Sequence, residues 1–139
     1  MNTIKKIYIF IFIFLAVATV FAIVYSSDST VLDVGESSFT INGAGSTSYT
    51  IDYEDILLVE LVYSPDYGTS INGGKKQKYA YGIWNNESWG EYRLYVNTNI
   101  DVGIVITEKK GVFVFNYINE QTTEDFYNSF LEYLEGKKN

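Results

Sequence analysis

Three hydrophobic patterns follow one another along the chain. From Ile7 to Tyr25 it reads IYIFIFIFLAVATVFAIVY, nineteen residues without a charge. From Ser38 to Tyr117, short apolar runs with strand-like spacing are broken by Gly, Asn and charged turns. After Thr122 the period lengthens. Phe126, Phe130 and Leu134 recur at i, i+4 and i+8, and Tyr127 and Leu131 widen the stripe. The pattern therefore predicts an apolar span, a mainly β region and one amphipathic helix.

The apolar run is read as a membrane helix. At 1.5 Å per residue it reaches about 28 Å, close to the ~30 Å hydrocarbon core of a bilayer. The alternation in IYIFIFIF also fits a strand, but the run is too long and too uniformly apolar for one. Lys5 and Lys6 precede it, and the next basic residue is Lys75. The positive-inside rule then puts the N-terminus in the cytoplasm and the remainder outside. The alternative is secretion after cleavage of a signal peptide, at Ala16-Val17-Ala18 or Val24-Tyr25-Ser26. Cleavage at the first site would leave VFAIVY exposed, so the uncleaved anchor is preferred. The expected organisation is a cytoplasmic N-terminus (1–6), a single-pass signal anchor (7–25), a tether with a brief edge strand (26–37), one domain (38–136) and a tail (137–139).

Within the domain the pattern predicts seven strands: Ser38–Ile41, Thr47–Ile51, Ile56–Tyr63, Lys78–Trp84, Trp89–Val96, Asp101–Thr107 and Gly111–Tyr117. Turns fall at NGAGS, at Asn85-Asn86-Glu87-Ser88 and at Glu108-Lys109-Lys110. Ser64 to Gln77 reads as a long loop punctuated by Pro65 and by Asn72-Gly73-Gly74. The helix is expected to start at a capping box, Thr122 with Asp125, and to stop at Gly136. Asn128, Ser129, Glu132 and Glu135 should face solvent.

Seven strands followed by one amphipathic helix resemble the pleckstrin-homology fold. The chain looks like the bacterial pleckstrin-homology-like domains of membrane-anchored proteins. The pieces that carry the likeness are DYEDI, the hairpin YGIWNNESWGEYRLYV, and GIVITEKKGVFVFNYINEQTTEDFYNSFLEYL, within about Ser38 to Leu134. The resemblance implies a seven-stranded barrel or sandwich capped by the helix. The helix lacks the tryptophan of the eukaryotic pattern, and Phe126 and Phe130 would take its place. The first hairpin carries no Lys or Arg, unlike that of phosphoinositide binders. What is implied is a scaffold without a named ligand.

Composition narrows the chemistry. The chain has no Cys and no His, which removes disulfides, thiolate metal sites and the commonest general base. Beyond the apolar run stand eight basic residues against seventeen acidic ones, a net charge of −9. That balance disfavours nucleic acid and diffuse binding to anionic lipid.

Two candidate surfaces remain. In a pleckstrin-homology-like fold Lys75, Lys76 and Lys78, at the end of the long loop, would share a rim with Lys109 and Lys110. They could then bind an anionic headgroup or envelope polymer, although lysines in turns also serve solubility alone. Tyr79, Tyr81, Trp84, Trp89 and Tyr92 could stack on sugar rings, or fill a β core with Trp84 and Trp89 paired across their hairpin. Asp52, Glu54 and Asp55 form an acidic cluster without the spacing of a calcium loop. Asn86-Glu87-Ser88 matches a glycosylation sequon, which matters only in a eukaryotic secretory context. No metal, cofactor or nucleophile–base motif stands out. The expected function is a non-catalytic, membrane-tethered binding or scaffolding domain with a protein or envelope partner. A hydrolase using carboxylates alone would need two facing carboxylates in one pocket.

Overall fold

The structure is a computed structural model that describes residues 3–9, 11, 13, 15, 31–42 and 48–138. The expected membrane span lies mostly outside these residues. Its described positions, 7–9, 11, 13 and 15, are helical rather than extended, and their side chains are exposed. No helix of the described residues is long and apolar enough to cross a membrane.

The rest is mainly β with one C-terminal helix. Among the described residues nine strands form two sheets: β1 (Val31–Val34), β2 (Ser38–Asn42), β3 (Ser48–Asp52), β4 (Ile56–Tyr63), β5 (Thr69–Lys76), β6 (Tyr79–Asn86), β7 (Gly90–Asn97), β8 (Val102–Glu108) and β9 (Gly111–Phe115). The small sheet has the order β1-β2-β3 and the large one β4-β8-β9-β7-β6-β5. Neither sheet closes, so of the expected seven-stranded barrel or sandwich the structure shows the open sandwich. Two strands account for the higher count. β1 extends the small sheet by pairing along the whole of β2's outer side, Val31 opposite Asn42 through Val34 opposite Phe39. β5 lies in the stretch expected to be loop. Its sequence, TSINGGKK, is almost wholly exposed and sits on a sheet edge, where no apolar alternation is required. Residues 43–47, which contain most of the expected NGAGS turn, lie outside the described residues.

β9 is inserted between β7 and β8. It runs antiparallel to β8 and parallel to β7, Arg93 to Tyr95 lying beside Phe113 to Phe115. The connection from β7 to β8 must therefore step across the end of β9. Asn116, immediately after β9 and 1% exposed, holds that step. Its Oδ1 accepts from the Asn97 amide at 2.8 Å, and its Nδ2 donates to the carbonyls of Asn97 at 3.0 Å and Val102 at 3.2 Å. A buried side-chain amide is tolerated when its donors and acceptor are matched in this way.

The large sheet buries both faces. Its inner face carries Val59, Tyr95, Ile104, Ile106, Phe113 and Phe115, which pack against Phe39, Ile41, Ile51 and Tyr53 and against Phe130 of the helix. Its outer face carries Ala80, Tyr92, Leu94, Val96, Val105 and Val114, with Tyr67, Trp84 and Trp89 against them. The period-2 alternation of β7 and β8 sends successive side chains into the two cores.

The outer cover is the link from β4 to β5, the two opposite edges of the sheet. Tyr63 and Thr69 are six residues apart, a reach of at most about 22 Å. A flat sheet would hold those edges about 24 Å apart from strand spacing alone, at ~4.8 Å for each of five intervals. The link also joins opposite ends of the strands, since Tyr63 lies beside Val102 whereas Thr69 lies beside Asn85. The sheet must therefore curl around its outer face. Gly73 and Gly82 sit directly opposite each other with φ of 132° and 97°, and a Cβ on Gly82 would fall 2.3 Å from the Asn72 carbonyl. That close backbone approach allows the β5–β6 hairpin to bend with the curl.

The helix runs Glu120–Lys138, two residues longer than expected at each end. The cap is Asn119 rather than Thr122. Asn119 Oδ1 accepts from the Thr122 amide at 2.8 Å, and Thr122 Oγ1 accepts from the Asn119 amide at 3.0 Å. This is a reciprocal box with Thr as its second member. Phe126, Phe130 and Leu134 face the core, and Asn128, Ser129, Glu132 and Glu135 face solvent, as the stripe predicts.

Candidate functional site

Among the described residues, the small sheet and the helix do not cover the whole inner face. Where the cover stops, a cleft of about 250 Å³ opens, with Tyr49 of the small sheet on one side and the starts of β7 and β9 on the other. Alternation sets its chemistry. Ile104, Ile106 and Glu108 follow one another on the inner side of β8, so the apolar row ends in a carboxylate just before the turn. Glu108 is 5% exposed. A buried carboxylate needs a partner, and the Tyr49 hydroxyl donates to its Oε1. Burial and that bond push the Tyr49 phenol up to about 12.

Arg93 is the chain's single arginine. It projects from the inner side of β7 next to Phe113 of β9. Its guanidinium carbon lies 4.6 Å from the centroid of the Tyr49 ring, which also stacks on Phe113 at 5.1 Å. Glu91 and Lys110 line the same cleft. The one ion pair among the described residues is Lys109 with Asp55, at 3.6 Å and outside the cleft. Arg93 is thus held by an aromatic face and forms no ion pair among the described residues.

The five lysines of the expected rim do not converge. Lys75, Lys76 and Lys78 lie at the β5–β6 turn, beside the end of β7, with the Lys78 carbonyl accepting from the Thr98 amide at 2.7 Å. Lys109 and Lys110 form the β8–β9 turn, level with the start of β7. The length of β7, six residues from Glu91 to Asn97, separates the groups by about 20 Å. β9 carries its own turn to the far end because it runs parallel to β7. Only Lys110 reaches the cleft.

The aromatic set is also divided. Tyr81, opposite Tyr95, packs on the inner core, and Tyr79 is 9% exposed at the start of β6. Trp84, Trp89 and Tyr92 belong to the outer core. The two tryptophans are not a cross-strand pair. Trp84 lies opposite Tyr92, because Asn86 pairs with Gly90 and leaves Trp89 inside the loop. Trp89 meets Tyr92 edge to face at 5.1 Å. The Tyr92 hydroxyl donates to the Tyr67 carbonyl at 2.6 Å and ties the crossing link to the sheet. Burial pushes both the Tyr67 and Tyr92 phenols up.

Among the described residues, no group of three or more His, Cys, Asp or Glu side chains could hold a metal ion. Tyr49, Glu91, Arg93 and Glu108 were not among the sequence candidates. The available signals were a lone arginine within an aromatic strand and a carboxylate in step with Ile104 and Ile106. In comparisons with known proteins, no family model matches the chain, and no curated protein or solved structure matches it.

Proposed function

We propose that this chain is a non-catalytic binding domain tethered at the outer side of a cytoplasmic membrane, with the Tyr49–Arg93–Glu108 cleft as its ligand seat. The observation that carries the reading is the guanidinium of Arg93. It lies on Tyr49 with no ion pair among the described residues, in a cleft that also holds carboxylates. Arg93 and Lys110 are balanced there by Glu91 and Glu108. Such a site disfavours a polyanion and suits a compact zwitterion whose carboxylate meets Arg93 and whose ammonium meets Glu91. The volume, below the usual range for drug-sized ligands, sets the size at about that of a dipeptide.

The exposed apolar side chains of Ile7, Ile9, Ile11, Ile13 and Leu15 support a bilayer contact for the N-terminal run. The helix packed on the core after the last strand supports the pleckstrin-homology-like reading. The parallel β7–β9 pair departs from the plain succession of hairpins expected of that fold. The headgroup alternative keeps only Lys110, beside Arg93.

Calorimetry on the full chain in uncharged detergent tests the seat with the zwitterion Ala-Ala, its N-acetyl form and its C-terminal amide. Ala-Ala should bind, and each blocked form and the Arg93→Ala variant should bind at least about tenfold more weakly, the loss of one charged contact. Equal binding of all three forms would remove the proposal. A second reading, hydrolysis by carboxylates alone, draws on Glu91 and Glu108 lining one cleft, the former exposed and the latter buried. It requires that Ala-Ala be cleaved, and recovery of intact dipeptide after long incubation excludes it.

A further inference from the structure

A second seat lies at the other side of the small sheet, and it already holds a cation. Lys137 Nζ lies 5.2 Å from the ring centroids of both Tyr53 and Tyr133. The rings meet edge to face at 5.4 Å. The ammonium also donates to the Glu36 carbonyl. Tyr53 is fixed in place, since its hydroxyl donates to the Gly35 carbonyl at 2.8 Å and its ring stacks on Phe39. The seat opens into a groove of about 670 Å³ walled by Ile56 and Leu134, with Asp52 and Glu54 beside it. Two π faces and a carbonyl receive an ammonium head, the apolar wall receives its alkyl stem, and the carboxylates attract it from a distance.

The occupant is loosely held by its backbone. Lys137 stands in the last helical turn, directly after Gly136, where helices open at little cost. Tyr133 and Lys137 are both exposed, whereas Tyr53 is buried. The cage is therefore rigid on one side and accessible on the other.

We propose that this groove is a binding site for an alkylammonium group, such as a lysine-type side chain, and that Lys137 is its resting occupant until a ligand displaces it. The inference is independent of the cleft at Arg93, which lies at another opening of the sandwich. The test uses the full chain in uncharged detergent with N-acetyl-lysinamide as probe and N-acetyl-norleucinamide as its uncharged control. Lys137→Ala should raise the affinity for the lysine probe about tenfold, because a self-occupied site weakens apparent binding by its vacant fraction. Adding Tyr133→Leu should abolish that gain, and the norleucine control should not bind. Unchanged affinity in Lys137→Ala overturns the proposal, as does a gain that survives Tyr133→Leu. Should Lys137→Ala disturb the helix, the wild-type Lys137 ¹³Cε resonance gives the same decision. Saturating lysine probe should shift it toward the solvated position, and an unmoved resonance sinks the idea.

Discussion

The two faces of the large sheet both bury an apolar core but are differently covered. The inner face is roofed by separate elements, the small sheet and the helix, which meet it through Phe39, Tyr53 and Phe130. The outer face is roofed by the sheet's own β4–β5 link, which the curl pulls tight over Val105, Val114 and Leu94. A link that joins both edges leaves the outer face closed. A roof made of independent pieces can stop short, and among the described residues it stops at Arg93 and Glu108. The difference shows why the candidate cleft belongs to the inner face while the tryptophans pack, partly buried, against the outer one.

Phe39→Ala should have the largest effect. Phe39 touches the rings of Tyr53, Phe115 and Phe130, and so joins the small sheet, the large sheet and the helix. Its truncation should cost about 3–5 kcal/mol in chemical unfolding, with helix and sheet signals lost together. A loss below about 1 kcal/mol would mean that the inner roof is not a cooperative part of the fold.

Tyr92→Phe should act on the outer face only. Removing its bond to the Tyr67 carbonyl should cost about 0.5–1.5 kcal/mol. In hydrogen exchange the Gly68 amide, bonded to Asp66 Oδ1, should open faster while the amide of Phe39 in the small sheet keeps its protection. Equal acceleration on both sides would contradict the separation of the two roofs.

The smallest effect sharpens the cleft. The Tyr49 phenol is held neutral up to about 12 in the fold, against an ordinary value of 10.0. The neutral form is thus favoured by folding. Its stabilisation is complete below pH 10 and is lost as pH rises from there through about 12. Tyr49→Phe should lack that alkaline decline relative to wild type, while the other raised tyrosines remain common to both. Parallel stability curves from pH 9 to 12 would mean that the fold does not hold the Tyr49 phenol neutral.

Much of the sandwich is legible in the sequence, because burial on one or both faces imposes a period. Residues 102–134 carry their strands and helix in plain alternation, and the helix stripe orients itself. β5 escapes because an edge strand with Gly73-Gly74 and two lysines buries almost nothing. The insertion of β9 escapes because period 2 reports faces and says nothing of neighbours. That insertion separates the lysine groups and leaves Lys110 alone of the five at the cleft with Arg93. The division of the aromatics is half visible, since Tyr79 and Tyr81 fall on odd positions of β6 and Trp84 on an even one. Trp89 is misassigned because the loop holds three residues rather than four, which changes the register at its mouth.

The most direct measurement of the cleft is an NMR titration of the full chain with Ala-Ala, following the Arg93 side-chain Hε and the amides of both faces. Arg93 Hε and the amides of Tyr49 and Gly111 should shift together and saturate, while those of Val96 and Ala80 under the outer link stay fixed. An unmoved Arg93 Hε at saturating dipeptide, or shifts centred on the outer face, would contradict it.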